Sequence, residues 1–252
     1  MPEILHEKAE ALRAVGKCAE AASLLEEAIV RGHLSSRADL ADMLMQGRGG
    51  VAQDCARSFV LLEEGAGLGC HNCQGMLAFC LLEGVGCAQE ARITQIALAN
   101  DGELHADGEA NADSAEEPRC LAMARASAAK GSKHGQWTLA RFYYRGEGGV
   151  AMDYDAGVAL WRLAAAQGYD RAQDDLGSHF QCAEEDAEAL VWFMRAAAQG
   201  HGRALYMVGV FYENGYSVAA DEVEAMRWYK CAAEAGWSDA ADSLMRLEAS
   251  VN

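Results

Sequence analysis

Six glycines recur along the chain, most of them closing an alanine-bearing run: Gly32, Gly69, Gly131, Gly168, Gly200 and Gly236, at steps of 37, 62, 37, 32 and 36 residues. The register between them holds. The eighth residue after each is Leu40, Leu77, Leu139, Leu176, Val208 and Leu244, and the ninth is Ala41, Ala78, Ala140, Gly177, Gly209 and Met245. A fixed period of this length means stacked supersecondary units, each too small to bury its own apolar face and stabilised by its neighbours. Within a unit, positions four, eight and twelve past the glycine share one helical face, as in Gly135, Leu139 and Tyr143. A glycine loop such as Gly146, Gly148 and Gly149 ends this helix A. A second helix, B, then carries Trp161, Trp192 or Trp228 and ends in an alanine-rich turn. The expected fold is all-α: a right-handed α/α superhelix of antiparallel helix pairs, running as one domain over 1–252.

The pairs divide the chain in order. Residues 3–32 read as an N-terminal capping pair with the short turn of a tetratricopeptide repeat (TPR), and repeats follow at 33–69, 70–131, 132–168, 169–200 and 201–236. Residues 238–251 repeat only helix A and read as a C-terminal capping helix. The long step of 62 residues places an insertion at 88–117, between helices A and B of the third unit. Its second half holds Asp101, Glu103, Asp107, Glu109, Asp113, Glu116 and Glu117 without Lys, Arg or aromatic residues. Such composition predicts an exposed, mobile acidic loop that proteases cut first.

Leu139, Ala140, Tyr143, Gly146, Gly148, Val150, Asp153, Trp161 and Gly168 form a pattern that returns at Val208, Gly209, Tyr212, Gly215, Val218, Asp221, Ala225, Trp228 and Gly236. In these residues the chain resembles the Sel1-like repeats, a longer-looped relative of the TPR, over residues 33–248 apart from the insertion. The resemblance implies a protein-binding scaffold or adaptor and carries over no catalytic residue and no cofactor.

Charge narrows the partners. With 38 acidic against 21 basic residues the net charge is −17, which disfavours nucleic acid and anionic membrane surfaces and favours protein or peptide partners. No apolar run is long enough to cross a bilayer, and the first residues lack a signal-peptide pattern, so a cytoplasmic or nuclear location is expected. The oligomeric state is not legible in the sequence.

Two other function classes stay open. The spacing Cys70-His71-Asn72-Cys73, followed by Cys80 and Cys87, offers four sulfurs for zinc, although a single CxxC without a second pair is a poor zinc signature. Glu103, His105, Asp107, Gly108 and Asn111 make an imperfect calcium loop in the same unit. Either ion would make the protein a metal-regulated adaptor. A family-atypical enzyme is the third class, and no nucleophile, metalloprotease or nucleotide-binding motif supports it. The dispersed histidines, four of them at corners between units (His33, His71, His134 and His201), read as structural or solvated.

For a scaffold, the partner is expected on the concave face lined by the A helices. Positions six, ten, thirteen and fourteen are expected to project there, giving Trp137, Arg141, Tyr144 and Arg145, then Asp174 and Ser178, then Tyr206 and Glu213, with Phe79 from the third unit. Aromatic residues and arginines dominate interface energies. Arg141 and Arg145 are assigned to a carboxylate of an extended peptide, and Trp137, Tyr144 and Tyr206 to its apolar residues. Changing Arg141 and Arg145 together to Ala is expected to weaken binding by at least about tenfold with a nearly unchanged melting temperature.

Overall fold

A computed structural model describes residues 1–47, 49–86 and 117–251; the acidic segment 88–116, the calcium-loop candidates and Cys87 lie outside them. The described residues form thirteen helices and no strand. They are α1 (Pro2–Ala14), α2 (Cys18–Val30), α3 (Ser36–Gln46), α4 (Cys55–Gly67), α5 (His71–Glu83), α6 (Arg119–Ala129), α7 (Lys133–Arg145), α8 (Tyr154–Ala166), α9 (Asp170–Cys182), α10 (Asp186–Ala197), α11 (Gly202–Asn214), α12 (Glu222–Glu234) and α13 (Ser238–Val251). Each packs antiparallel on the next, odd helices being A and even ones B, so the chain is an α-solenoid.

Each recurring glycine turns a B helix into the next A helix. At the end of α8, Gly168 adopts φ 79, a left-handed conformation that only glycine reaches without cost. Its N–H bonds to the Ala165 carbonyl at 3.0 Å and that of Tyr169 to Ala164 at 3.2 Å, which is the Schellman pattern that satisfies a helix C-terminus. The same two bonds recur at Gly32, Gly69, Gly131, Gly200 and Gly236.

The glycine loops are closed by aspartates. Asp54, Asp153 and Asp221 accept from the backbone N–H of Arg57, Ala156 and Glu224, capping α4, α8 and α12. Their own N–H groups donate back to the preceding A helix, to Leu44, Tyr143 and Tyr212 at 2.8 to 2.9 Å. A single residue type therefore both starts helix B and fixes its angle to helix A.

The small ninth residue has a packing cause. A Cβ at Gly177 would lie 2.6 Å from the ring of Phe193, and one at Gly209 would lie 2.6 Å from that of Tyr229. The aromatic residue of helix B occupies this space, and Phe193 and Tyr229 both belong to the main buried core.

Candidate functional site: the concave face

Helix α3 is buried almost all round, from Ala38 to Met45, and this run includes Asp39 and Asp42. Buried carboxylates need cations, and these arrive from helices far along the chain. Arg13 of α1 reaches Asp39 at 3.2 Å and Asp42 at 3.4 Å. Lys133 of α7 lies 3.1 Å from Asp39 and 3.3 Å from Glu10 of α1. Arg171 of α9 donates to Asp42 at 2.9 Å. Burial alone would raise Asp39. Lys133 first, then His134 and Arg13, reverse this and hold its carboxyl well below the usual range. Asp42 is lowered in the same way, burial and Asp170 opposing and Arg171 and Arg13 prevailing.

An aromatic layer lies beside this charge centre. Phe79 and Trp137 pack with ring centroids 4.7 Å apart, and Tyr169 meets Trp137 edge-on at 5.6 Å. The guanidinium of Arg141 lies 5.4 Å from the Phe79 ring centroid and 5.2 Å from that of Trp137, and Arg171 lies 5.5 and 5.4 Å from the same two rings.

Several residues assigned to the partner are thereby placed in the interior. Trp137 is 2% exposed and donates its indole N–H to Asp175 at 2.6 Å; Phe79 and Asp174 are also buried. Position six points at the neighbouring A helix because the solenoid coils tightly, bringing α5 against α7. Arg141 and Arg145 both bind Glu83 of α5, at 2.5 and 2.7 Å. Removing Arg141 therefore disturbs a packed layer, and an unaltered melting temperature is no longer expected for the double substitution.

Other assigned residues stay partly open. Tyr144 meets Tyr154 edge-on at 4.8 Å and packs at a tilt on Trp161 at 4.6 Å, and Arg145 keeps 41% of its side chain exposed. Ser178 is half-buried, sharing Arg203 with Asp174. Tyr206 lies between Tyr229 and Trp237, and Glu213 accepts from Tyr229 at 2.6 Å and Arg246 at 2.9 Å.

The metal candidates separate. Cys80 contacts Met45 at 3.5 Å, Cys73 faces the Leu34 carbonyl at 3.8 Å, and among the described residues no three cysteines lie together. The metal-like grouping found there is His6, Glu10 and Asp39. Its carboxylates are already met by the Lys133 ammonium. These three residues and Lys133 line a cavity of about 530 Å³ at the corners of units one to four, together with His33 and Cys70. The sequence signal for this centre was the pair Asp39 and Asp42 inside an apolar run, since a charge at a buried register position demands a partner.

One titration is measurable at the aromatic layer. Burial first, then the neighbouring Asp174, push Asp175 from 3.8 up to about 6, against the pull of Arg141 and the Trp137 bond. A raised carboxyl favours the protonated fold, so its contribution is complete below 3.8 and is lost as the pH rises through about 6. Asp175→Asn should therefore gain stability on the native chain across that window. Urea titrations of both proteins showing a constant difference over the window would refute the assignment.

Comparison with known proteins agrees with this architecture. A chitin synthase regulator of Malassezia restricta is 33% identical over 111 residues, 42% of this chain and 8% of that protein. Chitin synthase regulatory factor 3 of Schizosaccharomyces pombe is 32% identical over 133 residues, 50% of this chain and 14% of that protein. The aligned region is thus a small part of either relative. An immunity protein of Pseudomonas aeruginosa superposes with a TM-score of 0.53 at 17% identity, over 94% of this chain and 83% of that one, a likeness of fold. Among the described residues no helix is long and apolar enough to cross a membrane. The family model described as Sel1 repeat matches residues 35–70, 134–169, 183–201 and 202–237, half of the chain, and the protein belongs to the Sel1 repeat family.

Proposed function

We propose that the protein is a non-enzymatic interaction scaffold that holds an extended segment of another protein along the concave face, from α7 across α9 to α11. Membership of the repeat family supports a binding role. Two relatives are named as regulators of chitin synthase, which fits a role in acting on another protein. The observation that carries the location is the row of incompletely buried side chains Tyr144, Arg145, Ser178, Tyr206 and Glu213 on a floor of fully packed aromatics. Tyr144 and Tyr206, whose rings are only partly buried, offer their open parts to apolar residues of the partner. Arg145 is shared with Glu83, so a partner carboxylate replaces one acidic oxygen by another at little desolvation cost.

The test places a photo-crosslinking amino acid at Ser178 and, in a second protein, at Val191, which is exposed on a B helix. In extract from the native source, Ser178 is expected to capture a discrete partner that Val191 does not. Arg145→Glu should then weaken that partner by at least about tenfold, or about 1.4 kcal/mol. Equal capture from both positions, or an unmoved affinity, would transfer the interface to another surface.

A further inference from the structure

Cys70 occupies the N-cap of α5 with extended backbone, φ −72 and ψ 112. The residue therefore sits at the positive end of the helix dipole, although its sulfur makes no cap hydrogen bond. The Cys73 thiol, the backbone of Cys73 and Asn72, and Ser35 lie around that sulfur and favour its thiolate. Cys73 follows one turn later on the same side, a separation compatible with a disulfide after small adjustment. The two sulfurs differ in access. Cys70, 5% exposed, forms part of the wall of the 530 Å³ cavity, whereas Cys73 is fully buried against Gly65 and has no part in that wall.

We propose that Cys70 and Cys73 are a redox-active dithiol that exchanges with small disulfides entering the cavity, Cys70 attacking and Cys73 resolving. The Cys70 thiolate attacks one sulfur of a disulfide such as glutathione disulfide; that S–S bond breaks, a mixed disulfide forms, and one glutathione leaves as thiolate. As the Cys73 sulfur attacks Cys70, its proton passes to the departing sulfur of the second glutathione, which leaves as thiol while the internal disulfide forms. The protein loses two electrons, and glutathione disulfide gains both.

The electrostatics run in the same direction. The neighbouring Cys73 thiol first, then the backbone of Cys73 and Asn72 and Ser35, overcome burial and bring Cys70 down to about 6, while the proximity of Cys70 and then burial hold Cys73 up. A cavity-lining sulfur of low pKa beside one of high pKa outside the cavity is the arrangement that separates attack from resolution. His6 and Glu10 of α1, and Asp39 of α3 with His33 just before that helix, face the cavity. Lys130, Lys133 and His71 complete its charged lining, a mixture suited to a zwitterionic thiol compound. Arg37 acts on Cys73 from α3.

The test equilibrates the full chain in glutathione buffers of graded ratio, quenches with acid, blocks free thiols and maps peptides. The expected product is a Cys70–Cys73 link, with Cys73→Ser trapping glutathione on Cys70 and Cys70→Ser leaving Cys73 reduced. If Cys73→Ser unfolds, the wild-type protein decides: iodoacetamide at neutral pH should label Cys70 at least about tenfold faster than the exposed Cys182 and Cys231. Finding both cysteines reduced at ratios that already modify Cys182, or Cys70 labelled no faster than Cys182, would overturn the proposal.

Discussion

Asp42→Ala is expected to lower stability by about 3–5 kcal/mol, the usual effect of breaking a buried ion pair from one side. The carboxylate is fully buried and holds Arg13 at 3.4 Å, Arg171 at 2.9 Å and the Gln46 amide at 2.8 Å. Without it Arg13 keeps Asp39, but Arg171 retains only aromatic stacking and its attraction to Asp170. An exposed pair gives the contrast. Arg57→Ala removes a 2.7 Å contact to Glu26, where loss of the pair is worth at most about 1 kcal/mol. Asp42 is lowered in the fold, so its contribution is present above 3.8 and disappears as the pH falls through the folded value. Urea unfolding at neutral pH measures both variants. A loss under about 1 kcal/mol for Asp42→Ala would mean that the charge centre is freely solvated.

Gly135→Ala tests the crossing of three helices and is expected to reverse the ordinary sign of such a change. In an unobstructed helix, alanine for glycine gains about 0.5–1 kcal/mol. At Gly135 the added Cβ would lie 2.2 Å from the Ser127 hydroxyl and 2.5 Å from the backbone nitrogen of Ala128. Gly75 leaves no relief on the other side, since its own Cβ position is 2.4 Å from the Gly135 nitrogen. Backbone must move, and overpacking of this kind costs about 1–3 kcal/mol or more. Gly67→Ala, with nothing within 4 Å, is the control expected to leave stability level or slightly higher. Equal denaturation midpoints for the two variants would show that α6 and α7 separate without penalty.

Much of the fold was legible because the signals are local. A left-handed glycine after each B helix, an aspartate cap before three of them and a small residue beneath the aromatic rings at Phe193 and Tyr229 are requirements of one unit, repeated until the period is unmistakable. The concave face was less legible because its contacts cross several units. Register placed Trp137 and Arg141 on the side facing the other A helices, as the structure does, but the tightness of the coil decides whether that side is a groove or an interior. Asp39 and Asp42 carried the missing information. Two acids inside ADLADMLM have no local cation to pair with, so the sequence demanded distant bases without naming Arg13, Lys133 and Arg171.

The reach of Arg171 to Asp42 and of Lys133 to Glu10 joins residues 129 and 123 positions apart. An open solenoid touches only its neighbours, so repeats can be gained or lost like beads and can melt one after another from an end. Here the arithmetic is fixed. Deleting or inserting one whole repeat between α3 and α9 would carry the guanidinium about one helix-pair width past its carboxylate, leaving both charges buried and alone. Repeat number is then as constrained as any core residue, and loss of the N-terminal pair should be felt in the fourth and fifth units as a single cooperative collapse rather than as fraying.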